Sequence, residues 1–236
     1  MLSLETIKKL QNEQKKLDEF IVKNRNITDN FSSKKSFIRT KIALLVEIGE
    51  LANELKTFKH WKSQKEVNWD KAKEELIDCL HFYLSWTNQL AIDFTDYKFK
   101  KLASETDYNE LLLALFSETE TFKVDIPLHA LKAKMLAENE KHWEGYINKP
   151  NSENKLTEKD IKELRRIKEE QQKIIEKMNN NFLGGIEIEK NKFSFYRWLI
   201  IFEELAQKLG MKSEKDIYNS YMTKNKINWK RQQENY

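Results

Sequence analysis

Glu47-Ile48-Gly49-Glu50, followed after 24 residues by Glu75-Leu76-Ile77-Asp78, decides how this chain is read. Each half sets two carboxylates one helical turn apart, inside a segment with helical apolar periodicity. On a helical wheel Glu47, Glu50 and Glu54 fall within an arc of roughly 60°. That arc borders an apolar stripe of Phe37, Leu44, Ile48, Leu51, Leu55 and Phe58. Glu75 and Asp78 project to the side of Cys79, Phe82 and Trp86, an otherwise apolar arc. Carboxylates at the margin of a core are costly unless compensated. Two unit charges about 4 Å apart repel by roughly 4 kcal/mol at an effective dielectric near 20. Hard divalent cations compensate such clusters, and Mg²⁺ takes oxygen ligands of this kind.

Composition agrees with a helical chain. At 236 residues it fits one large domain or two small ones, either able to bury a core. Only 5 Gly and 2 Pro argue against a sandwich or barrel, and 34% charged residues with long amphipathic runs indicate an all-α fold. The 42 basic and 38 acidic residues nearly balance at +4, which gives no reason to propose nucleic acid as a partner. A lone Cys79 makes no internal disulfide and suits a reducing compartment. No signal peptide is read at Met1-Leu2-Ser3-Leu4-Glu5, and no apolar run is long enough to span a bilayer. The expectation is a soluble, cytoplasmic protein without a membrane partner.

Along the chain, residues 3 to about 24 read as a helix with Ile7, Leu10, Leu17 and Ile21 inward. Ser3 can cap it, although Thr6 stands where a capping box needs Glu or Gln. Gln14 occupies a core position one turn before Asp18; it either fixes helix register or offers an amide edge to a ligand. The acidic helices are expected over about Lys34–Phe58 and Trp69–Ile92. Gly49 lies between two candidate ligands, which is either tolerated packing or room for a close approach. Lys56, Lys59 and Trp61 follow the first acidic helix, as dipole-favoured cations and a core cap or as contacts to a phosphate chain and a base. His81, one turn after Asp78, reads as a packed residue or a ligand contact. Residues 107 to about 143 read as helix interrupted near Pro127, with Glu118 and Glu120 on a solvated face. A linker is expected over 145–157, helices over 158–178 and Phe193–Leu209, and a last helix from Ser213. That last helix sets Tyr221, Lys224, Asn228 and Arg231 on one face, which suits a phosphate- or ribose-gripping surface better than core docking.

Two acidic pairs on adjacent helices suit a Mg²⁺ cluster for phosphoanhydride chemistry. Zinc is disfavoured, because Cys79 stands alone and the four His lack ligand spacing. No serine or cysteine nucleophile can be paired with a base.

These residues carry a resemblance. Glu47-x-x-Glu50 with Glu75-x-x-Asp78 resembles the signature of the all-α nucleoside triphosphate pyrophosphatases. Gln14…Leu17-Asp18, Phe58-Lys59-His60-Trp61, Cys79-Leu80-His81-Phe82 and Tyr221…Lys224…Asn228…Arg231-Gln232…Tyr236 narrow it to the dimeric dUTPase family. The resemblance implies a helical bundle and a domain-intertwined homodimer that hydrolyses dUTP, and dUDP as a further substrate, with Mg²⁺. It implies that Glu47, Glu50, Glu75 and Asp78 are metal ligands, with Glu47 orienting the attacking water. It places Gln14, Asp18, Trp61 and His81 around base and sugar. Lys56 or Lys59, Lys224, Asn228 and Arg231 are then phosphate contacts, with Tyr221 nearby. A single domain is expected over 1–236, with a rigid core over about 1–145 and mobile C-terminal helices over about 155–236.

Asp18 stands where many members carry Asn, and an ionised carboxylate only accepts hydrogen bonds. It suits uracil N3–H, a sugar hydroxyl or the amino group of cytosine. A dCTP-accepting or broad house-cleaning pyrophosphatase is therefore the alternative within this chemistry. A non-catalytic helical binding module is the alternative outside it.

Overall fold

A computed structural model describes residues 2–28, 31, 33–63, 66–99, 101–102, 106–121, 166 and 188–234. The chain divides into two compact units, Met1–Phe122 with Glu187–Tyr236, and Lys123–Ile186. The six helices described here all belong to the first: α1 (Leu4–Asn24), α2 (Lys34–Leu55), α3 (Trp69–Gln89), α4 (Tyr108–Glu120), α5 (Ile188–Lys208) and α6 (Glu214–Gln233). No strand occurs among the described residues, so the all-α expectation holds. None of these helices is long and apolar enough to cross a membrane. The linker expected over 145–157 and the helix over 158–178 lie outside the described residues.

Local signals start most of these helices. Ser33, Asn68, Asp107 and Ser213 each accept a backbone N–H of the first turn, and Asp107 and Ser213 complete capping boxes with Glu110 and Asp216. At α1 the missing capping-box acid comes from another helix. Glu214 of α6 accepts the Ser3 backbone N–H at 2.7 Å and the hydroxyls of Ser3 and Thr6. Helix ends are less legible. Instead of reaching Phe58, α2 stops at Leu55, because Lys56 turns left-handed at φ 55° and leaves Phe58 exposed. The second acidic helix stops at Gln89, where Leu90 caps it, rather than at Ile92.

α2 and α3 form the central hairpin, with Leu44, Ile48, Leu51, Leu55, Leu76, Leu80 and Leu84 buried between and around them. α5 closes one side through a stack of Tyr83 on Trp198 at 3.9 Å between ring centres. α4 is tied to its neighbours by charge. The expected solvated face holds for Glu120, which is exposed while pairing with the largely buried Lys41 at 3.3 Å, but not for the mostly covered Glu118, which pairs with Arg197 at 2.6 Å. α1 and α6 run parallel along the other side, fastened near both ends by Thr6–Glu214 and by Arg25 donating to Gln232 at 3.0 Å.

Candidate active site

The α2–α3 hairpin brings Glu47, Glu75 and Asp78 together, each offering an oxygen within 4.8 Å of the others. Helical spacing aligns the α3 pair, and antiparallel packing sets Glu47 of α2 opposite it. Burial and the neighbouring charges of Asp78, Glu50 and Glu75 push Glu47 up to about 7. Asp78 is also raised by burial, with Lys224 pulling the other way. Glu50 lies on the exposed edge of α2 and reaches the group as a neighbouring charge. Three crowded carboxylates on rigid helices, an all-oxygen donor set, fit a hard divalent cation.

Two lysines already offset part of this charge. Lys71, one turn before Glu75, pairs with it at 2.9 Å and with Glu74 at 3.1 Å. Lys224 reaches across from α6 to Asp78 and Glu74, at 2.6 Å each. Burial works against the Lys224 ammonium, but the two carboxylates outweigh it and raise its pKa. Lys71 and Glu74 were not among the expected site residues. The visible signal was Glu74 beside Glu75 with a lysine at the matching helical spacing, which resembles ordinary surface pairing.

One turn along α3 from Asp78, a buried network begins. His81 is pushed down to about 3, by burial first and then by Lys224, so its ring is neutral. Its Nδ1 lies 2.8 Å from Gln14 Oε1, and the Tyr221 hydroxyl donates to the same oxygen at 2.9 Å. The His81 and Tyr221 rings stack at 4.2 Å. Gln14 Nε2 in turn donates to Asp18 Oδ1 at 2.8 Å. The Gln14 acceptor is therefore spent inside the protein rather than presented to a ligand. Asp18 Oδ2 and His81 Nε2 are the buried atoms of this network that lack a hydrogen-bond partner. Burial pushes Asp18 up to about 7, against the pull of Gln14 and Ser85.

The remaining expected residues sit elsewhere. In the α2–α3 connection Lys56 donates to the Glu66 carbonyl at 2.7 Å, and Lys59 donates back to Asn53 Oδ1 of α2 at 3.1 Å. Trp61, in the same connection, is 65% exposed and packs against His60 and Phe58. The structure does not bring it to the Gln14–Asp18 side. Asn228 is half-buried and Arg231 exposed, one and two turns beyond Lys224 on α6.

The sequence profile of the dUTPase family matches residues 6–236. The chain belongs to the dUTPase family. It is thus a nucleotide diphosphatase, a hydrolase of dUTP, and its substrate is a nucleotide. dUTPases usually use a divalent metal, and the Glu47–Glu75–Asp78 group is the candidate place for one. No curated protein matches the chain.

Proposed function

We propose that this dUTPase hydrolyses dUTP to dUMP and pyrophosphate with Mg²⁺ held by Glu47, Glu75 and Asp78, with Glu50 at the margin, and that it works as a homodimer. The observation that carries this reading is the meeting of three carboxylates from two helices beside Lys224 and one turn from the Gln14–His81–Tyr221 network. Mg²⁺ bound there would neutralise phosphate charge and lower the pKa of a water. Glu47, set by α2 opposite the α3 pair, is the group that would orient the attacking water. Lys224, Asn228 and Arg231 line α6 at successive turns toward the start of α3, where the triphosphate would extend. The base and sugar would lie on the His81 and Asp18 side. The α6 helix would close over bound nucleotide.

The test is pyrophosphate release from a panel of nucleotides with and without Mg²⁺. dUTP should be preferred, and E75Q or D78N should lose on the order of 100-fold or more in kcat. A second reading rests on Asp18, whose buried Oδ2 accepts from an amino group when ionised. Preference for dCTP in the same panel would establish that reading and remove the first.

A further inference from the structure

Lys224 is held by two carboxylates of different standing. Asp78 belongs to the group of converging ligand oxygens, whereas Glu74 lies outside that group and its side chain is 40% exposed. The ammonium is 2.6 Å from each. Lys71 touches Glu74 and Glu75, but it belongs to α3 itself and cannot hold α6. We propose that Glu74 is a positioning residue, the seat that keeps Lys224 and α6 docked on α3 while Asp78 is given over to the divalent ion. This rests on the metal reading above and deepens it.

The argument is one of competing cations. An oxygen of Asp78 engaged by a divalent ion has less negative charge to offer an ammonium, and the two cations repel. Lys224 is 7% exposed and lies at the level of the cluster, so it needs a charge partner there to stay buried. Glu74 supplies that partner from the next residue but three on α3, without leaving the helix face. The same contact would hold Lys224 ready beside phosphate oxygens rather than withdrawn into solvent. In the absence of the ion Asp78 keeps its full charge for Lys224 at 2.6 Å, so the need for Glu74 is conditional on metal.

That condition makes the test. Amide hydrogen exchange over residues 217–228 is measured for wild type, E74Q, E74D and K224M, each with and without Mg²⁺ alone. Mg²⁺ binding itself is followed by calorimetry, with D78N as the control. E74Q should speed exchange about three- to tenfold with Mg²⁺ and leave it unchanged without, the size expected of a charge-assisted contact on a part-exposed pair. E74D should recover part of the protection, and K224M should speed exchange in both conditions. Wild type that binds Mg²⁺ while E74Q exchanges like wild type overturns the role of Glu74 alone. Equal acceleration with and without Mg²⁺ also overturns it, since that marks a plain structural contact. Failure of wild type to bind Mg²⁺ alone overturns this inference, and binding that D78N does not weaken overturns the metal reading with it.

Discussion

Asp18 has the environment whose pH consequence is simplest to state. Its carboxyl is held at about 7 in the folded protein by burial, against 3.8 for an ordinary aspartate. The folded state therefore keeps a proton that the unfolded chain releases, and the Asp18 contribution to stability falls as pH rises from about 4 to about 7. A shift of about three units sets a ceiling near 4 kcal/mol. D18N keeps the shape without titrating. It should be more stable than wild type by about 1–3 kcal/mol at about pH 8, with the gap closing near pH 4. Urea unfolding of both proteins at several pH values checks this; a difference that does not change with pH would contradict the burial argument. The turn spacing of Gln14 and Asp18 was plain in the sequence, with Gln14 open to two readings, a register-fixing polar residue or an amide edge for a ligand. What could not be read was the network that engages Gln14. Gln14 Oε1 takes hydrogen bonds from His81 and Tyr221, which are 67 and 207 residues away along the chain.

At the scale of elements, starts were more legible than stops. Ser33, Asn68, Asp107 and Ser213 announce their helices by side chains next to the N–H groups they satisfy. The stop of α2 depends on Lys56 taking a positive φ, which no local glycine signals. Glu118 looked as solvated as Glu120 because Arg197, its partner, belongs to another helix. Inside α2, Gly49 offered two readings, and the structure bears on them. A Cβ built there meets nothing within 4 Å, so packing does not demand glycine. G49A should then stabilise the protein by about 0.5–1 kcal/mol through helix propensity. The measurement is the urea midpoint at unchanged slope, with the KM for dUTP taken alongside. We expect the KM to stay the same. A raised KM in a more stable protein would assign Gly49 to the nucleotide's path.

Across the whole molecule, the acidic hairpin was readable because both of its partners lie in one stretch of chain, residues 47–78. The covering of that hairpin was not. Lys224 crosses 150 residues of sequence to reach Glu74, and Glu214 crosses 211 to reach the Ser3 backbone. Charge balance fixes how these parts respond to metal. Glu47 comes from α2 while Glu75 and Asp78 come from α3, so an ion held by all three ties together the two helices of the central hairpin. Unfolding separates them and abolishes the site, so Mg²⁺ should bind the native state alone. At about 100 times its own dissociation constant it should add about 2.7 kcal/mol to the free energy of unfolding. Thermal or urea unfolding with increasing Mg²⁺ should show this rise in wild type, reversal by a chelator, and a much smaller rise in D78N. The result also separates two routes of metal entry. A wild-type protein that hydrolyses dUTP with Mg²⁺, yet unfolds at the same midpoint with or without it, would take the ion in with the nucleotide. In that case Lys71 and Lys224 are sufficient counterions for the free protein, and the carboxylates are completed as a site only by the phosphates they receive.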